Sequence, residues 1–300
     1  MYELVQVGKK SYYIQSPAKI GVYLANNNEV YLIDSGNDKD AGRKVKKILE
    51  QNNWHLKAIL NTHSNADHIG GNHYLQQYYN CKIFAHGIES CFSRYPILEP
   101  AFLYGGYPFK DLKHKFLMAQ SSEISDFNDP DFPNEIEVIL LPGHFFDMVG
   151  FRLPDDTVFL GDCLSSEATL NKYQLSFIYD VENYIKTLDK VAKMQAKIFV
   201  LSHADASTNI TQLISINKKK VFEITNQILE LCQTPITFEI LLQKIFDIYQ
   251  LIMSYEQYVL IGSTVRSYLS WLKDTGKIST YIKNNTLLWK SDVNKIVISI

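Results

Sequence analysis

Four apolar runs of this 300-residue chain end in side chains that can bind a metal ion. The run at 57–61 leads into THSNADH at 62–68, which holds two histidines, an aspartate and an asparagine. The other three lead into LPGH at 141–144, LGDC at 160–163 and LSHA at 201–204. Imidazole nitrogens and carboxylate oxygens together suit zinc, iron or manganese. If the four ends meet, they would form a mixed histidine and aspartate metal site.

The joint pattern carries this hypothesis, because a single histidine beside a glycine is more often a loop residue with local hydrogen bonds. Open α/β sheets place their sites at the carboxyl ends of strands, which is where these residues fall. Asp34, in LIDSG, also ends an apolar run. It either orients a ligand histidine or caps the turn before Ser35 and Gly36, and both interpretations stay open.

Short β-branched and aromatic runs predict the elements that must position these residues. Four early strands are expected at ELVQV, SYYIQ, IGVYLAN and VYLIDSG. Apolar residues at helical spacing predict a helix over 38–51, and then KAILNT predicts a strand and HIGGNHYLQQYY a helix. Further strands are expected at EVILLPGH, VGFRLP, TVFLGD and KIFVLSH, with a helix over about 181–195. This order indicates an α/β fold.

Two regions stand apart from this order. Residues 87–134 are rich in aromatics and proline and are too long for an ordinary connection, so we expect a lid or a substrate-shaping insertion. After about residue 210 the pattern predicts three helices and a β-hairpin that turns at Asn284 and Asn285. That layout indicates a winged-helix-like domain.

We therefore divide the chain into two domains, residues 1–210 and residues 211–300.

The bulk composition limits the partners. Thirty basic and 32 acidic residues leave a net charge of −2, so the whole chain has no strong electrostatic attraction for nucleic acid or anionic lipid. Residues 215–300 carry ten Lys and Arg against seven Asp and Glu, a mild balance of +3. No stretch is apolar enough to span a membrane. The four scattered cysteines, read as buried free thiols, and a start without an apolar leader suggest a cytoplasmic location.

The ordered ligand pattern resembles the metallo-β-lactamase superfamily, and in particular its glyoxalase II-like and lactonase-like hydrolases. The family signature is HxHxDH after a strand, then a His in a PGH context, an Asp in a GD context and a last His. The matching residues are His63, Asp67, His68, His144, Asp162 and His203, and Asp34 matches a strand-end Asp usual in the family. The resemblance covers about residues 1–210 and implies an αββα sandwich of two mixed β-sheets flanked by helices.

The resemblance also implies two metal sites. His63, residue 65 and His144 would form one site, Asp67, His68 and His203 the other, and Asp162 would bridge them. The family's second histidine is replaced by Asn65, which offers an amide oxygen instead of an imidazole nitrogen. We therefore expect one firmly bound and one conditional divalent ion. Zinc is the first expectation, with iron or manganese as alternatives.

The function that the resemblance implies is metal-dependent hydrolysis of an ester, thioester, lactone or related small molecule. A divalent ion lowers the pKa of bound water to about 7, and Asp67 would orient the resulting hydroxide or relay its proton. Phe145, Phe146 and Asp147, after the PGH histidine, would alter the wall of the site.

Two alternatives remain at this stage. A nuclease is one, because the C-terminal region is similar to that of some superfamily members, including a branch with endoribonuclease activity. That region would then present nucleic acid to the metal site. The other is a non-catalytic metal-binding or regulatory protein. A homodimer is also a possible assembly.

Overall fold

The computed structural model describes residues 2–291. Six strands form its first sheet in chain order: β1 (Glu3–Gln6), β2 (Ser11–Gln15), β3 (Ile20–Leu24), β4 (Glu29–Ile33), β5 (His55–Leu60) and β6 (Lys82–Phe84). The first four pair antiparallel, whereas β5 and β6 run parallel to β4. The four predicted early strands therefore do form one sheet.

Five strands form the second sheet: β7 (Glu137–Leu140), β8 (Val149–Arg152), β9 (Thr157–Phe159), β10 (Ile198–Leu201) and β11 (Ala204–Ser207). Their order is β11-β10-β9-β8-β7, in which β9 and β10 pair parallel and the other neighbours antiparallel. Both sheets are mixed. The sequence did not predict β11, which turns straight back after LSHA.

Helices connect and cover the two sheets. They are α1 (Lys39–Gln51), α2 (Ala66–Ile69), α3 (Asn72–Tyr79), α4 (Glu89–Arg94), α5 (Leu98–Tyr104), α6 (Glu167–Tyr173), α7 (Val181–Val191), α8 (Thr211–Leu231), α9 (Phe238–Ile248) and α10 (Tyr255–Asp274). A hairpin of β12 (Ile278–Lys283) and β13 (Thr286–Ser291) follows them. No helix within residues 2–291 combines the length and the apolar character that crossing a bilayer requires.

Strand alternation produces the layers, because successive side chains point to opposite faces. Tyr31 of β4 packs between the sheets, where Phe84, Phe151 and Phe159 also lie. Leu32, the next residue, faces the opposite side, where α1 and α3 cover the first sheet. Helices α7 and α8 cover the outer face of the second sheet. The predicted αββα sandwich is therefore confirmed.

The C-terminal helices share a core with the second sheet's helical layer. Buried Tyr268 and Leu269 of α10 belong to the same apolar cluster as Tyr184 and Leu188 of α7. Helix α10 begins after Ser254, whose side chain caps its start. Three helices and a hairpin are present, whereas the winged-helix name and the boundary at residue 210 stay predictions.

Three local expectations differ from the structure. The helix expected at 68–79 is broken between α2 and α3 at Gly70 and Gly71, where a Cβ would lie 2.3 Å from Asn37 C and 2.4 Å from Ser35 O, respectively. Residues 87–134, for which the sequence predicted no helix, contain α4, α5 and a short 3₁₀ turn. The thiol of Cys91, expected to be buried, is exposed because it lies on the outer side of α4.

Candidate metal centre

The loop between β5 and α2, residues 61–65, brings the first candidate ligands to the edge of the sandwich. His63 lies in this loop, Asn65 occupies the position just before α2, and Asp67 and His68 lie within that short helix. The apolar run of β5 fixes one end of the loop in the sheet. Both histidines are fully buried.

Three further loops at the same edge supply the other candidates. His144 lies between β7 and β8, Asp162 follows β9, and His203 lies in the turn between β10 and β11. Because β9 and β10 are parallel neighbours, their ends place Asp162 beside His203. The four strand ends, which are far apart in the sequence, therefore lie next to one another in the structure.

The larger group of potential ligands among residues 2–291 consists of Asp67, His68, Asp162 and His203. One ligand atom from each lies within 4.8 Å of the others. His203 Nε2 lies 3.2 Å from Asp162 Oδ2 and 3.3 Å from Asp67 Oδ2. His68 Nε2 lies 3.1 Å from Asp162 Oδ1. Four donors of this kind are enough for a complete tetrahedral site.

The smaller group consists of His63, His144 and Asp162, with ligand atoms again within 4.8 Å of one another. The ring centroids of the two histidines lie 5.1 Å apart, and His144 Nε2 is 3.8 Å from Asp162 Oδ2. Asp162 belongs to both groups. Its two oxygens could therefore bridge a pair of ions.

All four histidines direct Nδ1 away from the shared space and toward an oxygen. His63 faces Thr62 Oγ1 at 2.9 Å, and His68 faces an Asp34 carboxylate oxygen at 2.8 Å. His144 and His203 face the carbonyl oxygens of Phe177 and Pro17, at 2.9 and 3.0 Å. An acceptor at Nδ1 favours the tautomer with the proton there, which leaves Nε2 free to bind a metal.

Unpaired buried atoms indicate that the residues fit a metal ion. His63 Nε2 is buried without a hydrogen-bond partner, and His68 Nε2 and Asp162 Oδ1 are buried 3.1 Å apart without the alignment of a hydrogen bond. Buried polar atoms are rarely left unpaired, because each one loses its hydrogen bonds to water. A divalent ion within each group would satisfy these atoms.

Burial favours the neutral, ligand form of two histidines. It lowers the pKa of His63 well below the ordinary value, and the neighbouring ring of His68 lowers it further. Burial also lowers the pKa of His144, and the Asp162 carboxylate opposes that shift only in part. The smaller group therefore offers unprotonated imidazoles near neutral pH.

Carboxylates dominate the larger group. Burial acts to lower the pKa of His68, but Asp162, Asp67 and Asp34 outweigh it and raise that pKa well above the ordinary value. The Asp162 carboxylate is the main cause that raises the pKa of His203 to about 10. A metal ion would compete with these two protons for the same negative charge.

Asn65 has a defined partner outside the two groups. Its amide nitrogen donates to Glu99 Oε1 at 2.8 Å. Glu99 belongs to α5, is buried, and has a pKa that burial raises well above the ordinary value. The amide oxygen of Asn65 is the atom left to reach an ion, and its role as a ligand stays a prediction.

Asp34 connects the end of β4 to the ligand loop. It accepts hydrogen bonds from Thr62 N and Thr62 Oγ1, both at 2.8 Å, and the same carboxylate faces His68 Nδ1. The contact with His68 is the geometry of a ligand-orienting partner. The contacts with Thr62 also tie together two adjacent strand ends.

Sequence reasoning missed Glu89 and Glu99, which reach the ligand loop from α4 and α5. Neither lies in a motif, so composition and spacing gave no signal for them. Phe145 and Phe146, expected to shape the wall, pack with other rings into an aromatic wall beside His63 and His144: Phe92, Phe102, Phe145, Phe146, Phe177 and Tyr179.

Two curated relatives match part of the chain. The hydroxyacylglutathione hydrolase of Buchnera aphidicola subsp. Schizaphis graminum is 29% identical over 193 residues, which are 64% of each chain. The one of Pelagibacter ubique is 26% identical over an alignment of 195 positions that covers 61% of this chain and 72% of the relative. The chain thus spans less than two thirds of the first of these relatives.

Two solved structures match over nearly the whole chain. A beta-lactamase domain protein from Burkholderia ambifaria has a TM-score of 0.74 at 12% identity and covers 97% of this chain and 95% of its own. A metallo-beta-lactamase family protein from Thermus thermophilus has a TM-score of 0.68 at 16% identity, covering 97% and 98%. At these identities the likeness shows the fold alone.

The sequence model of the metallo-beta-lactamase superfamily matches residues 20–203. That range runs from the start of β3 to His203 and contains both groups of potential ligands. Because the match covers more than half of the chain, the chain belongs to the metallo-beta-lactamase superfamily.

Proposed function

We propose that this protein is a metal-dependent hydrolase that cleaves a small-molecule thioester, with esters and lactones as related candidate substrates. The observation that carries the proposal is the meeting of two donor groups at Asp162, beside a buried His63 Nε2 that has no hydrogen-bond partner. The similarity to two proteins named hydroxyacylglutathione hydrolase supports the thioester class.

Each group would hold one ion, and the two affinities would differ. Asp67, His68, Asp162 and His203 supply four donors and would hold the firm ion. His63, His144 and Asp162 supply three and would hold the conditional one. Zinc suits this mixture of nitrogen and oxygen donors, with iron or manganese as alternatives. When bound, such ions would lower the pKa of coordinated water toward neutrality and polarise the substrate carbonyl.

Exposure indicates how substrate reaches the centre. The side chains of Asp67 and His203 are 40% and 28% exposed, whereas His68 is fully buried. On the other side, the aromatic wall closes the centre behind His63 and His144. Substrate would therefore approach past Asp67 and His203, and the Asp67 carboxylate would orient the attacking hydroxide or relay its proton.

The nuclease alternative has weaker support. Of the lysine run at 218–220, Lys218 pairs with Asp189, and Lys220 contacts Glu223 and Gln174. These partners reduce the positive charge available for a phosphate backbone. A homodimer and a cytoplasmic location stay predictions.

The test is a substrate panel on metal-reconstituted protein. Thiol release from a small hydroxyacyl thioester should exceed hydrolysis of a matched ester, a lactone and a phosphodiester. His203→Gln should reduce the thioester rate by about 100-fold or more, because it removes a donor of the firm site. The matched control is His73→Gln, which changes a histidine that contacts the Ser121 carbonyl and should keep the rate.

Two results would reject the proposed function. One is a phosphodiester rate above the thioester rate that also depends on His203, which would favour the nuclease. The other is saturable metal binding without turnover of any substrate in the panel, which would favour a non-catalytic metal-binding protein.

A further inference from the structure

Glu89, the first residue of α4, is a buried carboxylate with three hydrogen-bond donors. It is 1% exposed. One oxygen accepts from Ser64 N at 2.9 Å and from Ser64 Oγ, and the other accepts from Asp147 N at 2.9 Å. Buried donors of this kind need an acceptor, since water cannot replace it.

The two partners of Glu89 lie on different ligand loops. Ser64 is adjacent to His63, and Asp147 lies three residues after His144. His63 and His144 are the two histidines of the smaller donor group. The Glu89 carboxylate therefore bridges the loops whose separation sets the spacing of these two rings.

The position of Glu89 is itself fixed by the same loop. Asp147 Oδ2 accepts a hydrogen bond from Ile88 N at 2.9 Å, in return for the bond from Asp147 N to Glu89. Gly87 has a φ of +49°, and a Cβ there would lie 2.1 Å from Asp147 Oδ2. Residues 87–89 and Asp147 thus fit closely, and glycine allows both the approach and the conformation.

The larger donor group is fastened by other residues. The His68 carbonyl accepts from Ser35 N at 2.8 Å, and its ring faces Asp34. The His203 ring faces the Pro17 carbonyl, and the buried Lys19 ammonium donates to the carbonyl of Ala204, the next residue. Loosening the Glu89 bridge should consequently disturb the smaller group first.

We propose that Glu89 is a positioning residue for the conditional metal site: by bridging Ser64 and Asp147 it holds His63 and His144 at the spacing that lets a second ion bind. The inference rests on the proposed function only in taking the two donor groups as metal sites. It also gives residues 87–134 a role in building the centre, beside the lid that the sequence predicts.

Glu89→Gln is the informative variant, because it keeps the size and removes one acceptor. Whichever way the amide turns, its NH₂ group faces either the Ser64 donors or the Asp147 N–H, so one loop is released. In a Co²⁺ titration followed by calorimetry, the first equivalent should bind as in wild type. The second should bind about 10-fold more weakly. The visible absorption of bound Co²⁺ should differ from that of the wild-type protein only when the second equivalent is added.

Three further variants sharpen this test. Glu123→Gln changes an exposed glutamate of the same segment and should leave both equivalents unchanged. Ser64→Ala removes one of the three donors and should weaken the second equivalent less. In the Glu89→Gln/Ser64→Ala double variant the combined loss should be smaller than the sum, since both changes act on one contact.

Several outcomes would overturn the inference. They are a wild-type second equivalent in Glu89→Gln, equal weakening of both equivalents, or a wild-type protein that binds a single ion at saturating Co²⁺. If Glu89→Gln does not fold, Ser64→Ala decides, and an unchanged second equivalent there rejects the role of Glu89. Failure of the wild-type protein to bind any metal would instead reject the proposed function.

Discussion

Asp34→Asn should weaken binding of the first metal ion, because it changes the group that orients His68. One Asp34 oxygen accepts from Thr62 N, and the other faces both Thr62 Oγ1 and His68 Nδ1, each at 2.8 Å. Asparagine replaces one of these oxygens with an NH₂ group. The backbone of residue 34 has a φ of 63°, which asparagine adopts readily, so the fold should tolerate the change.

The expected magnitude follows from the tautomer of His68. With an NH₂ group opposite Nδ1, the ring must move its proton to Nε2, the atom that lies 3.1 Å from Asp162 and would bind the ion. Turning the amide over would place NH₂ against the Thr62 N–H, so one contact is lost either way. Loss of such a partner costs about 10- to 100-fold in metal affinity, or about 1.4–2.7 kcal/mol.

Calorimetric titration of the metal-free protein measures this loss directly on the first equivalent. The control is Asp155→Asn, whose carboxylate accepts from Ser11 and Lys10 and lies outside both donor groups. Circular dichroism should show the same secondary structure in both variants. A first equivalent that binds to Asp34→Asn with the wild-type dissociation constant would refute the argument from His68 orientation.

Three further predictions test the centre and the core. Asn65→His should raise affinity for the second ion by about tenfold, because an imidazole binds zinc better than an amide oxygen; an unchanged second equivalent in calorimetry would contradict this. Added metal at about 100 times its dissociation constant should stabilise the folded state by about 2.7 kcal/mol, and an unaltered unfolding midpoint in a thermal melt would oppose it. Phe151→Ala should reduce the free energy of unfolding by about 3–5 kcal/mol in urea, because the ring is fully buried between the sheets, while metal stoichiometry stays at the wild-type value.

The sequence predicted those features of the fold that depend on local pattern. Short β-branched and aromatic runs at β3 and β4 indicated strands, and apolar spacing in 38–51 indicated α1, because burial on one face of a helix imposes its period. The same logic placed His63, His144, Asp162 and His203 at strand ends. Their types are visible in the sequence because ligand chemistry restricts them.

Features that depend on contacts between residues distant in sequence left no such signal in the sequence. Glu89 and Glu99 look like ordinary surface glutamates of short helices, and only the packing of α4 and α5 against the ligand loop buries them. The break between α2 and α3 has the same origin, since Gly70 and Gly71 meet backbone that is distant in sequence. Helix and strand propensities could not predict which backbone atoms Gly70 and Gly71 would contact.

Metal occupancy of the purified protein tests the central claim most directly. Crystals grown after reconstitution with Zn²⁺ should give anomalous scattering at the zinc edge, with a full peak among Asp67, His68, Asp162 and His203. A weaker peak, or a full one only at higher zinc, is expected among His63, His144 and Asp162. Binding of less than about 0.2 equivalents of zinc, iron or manganese after reconstitution would contradict the account, because the two donor groups would then not be metal sites.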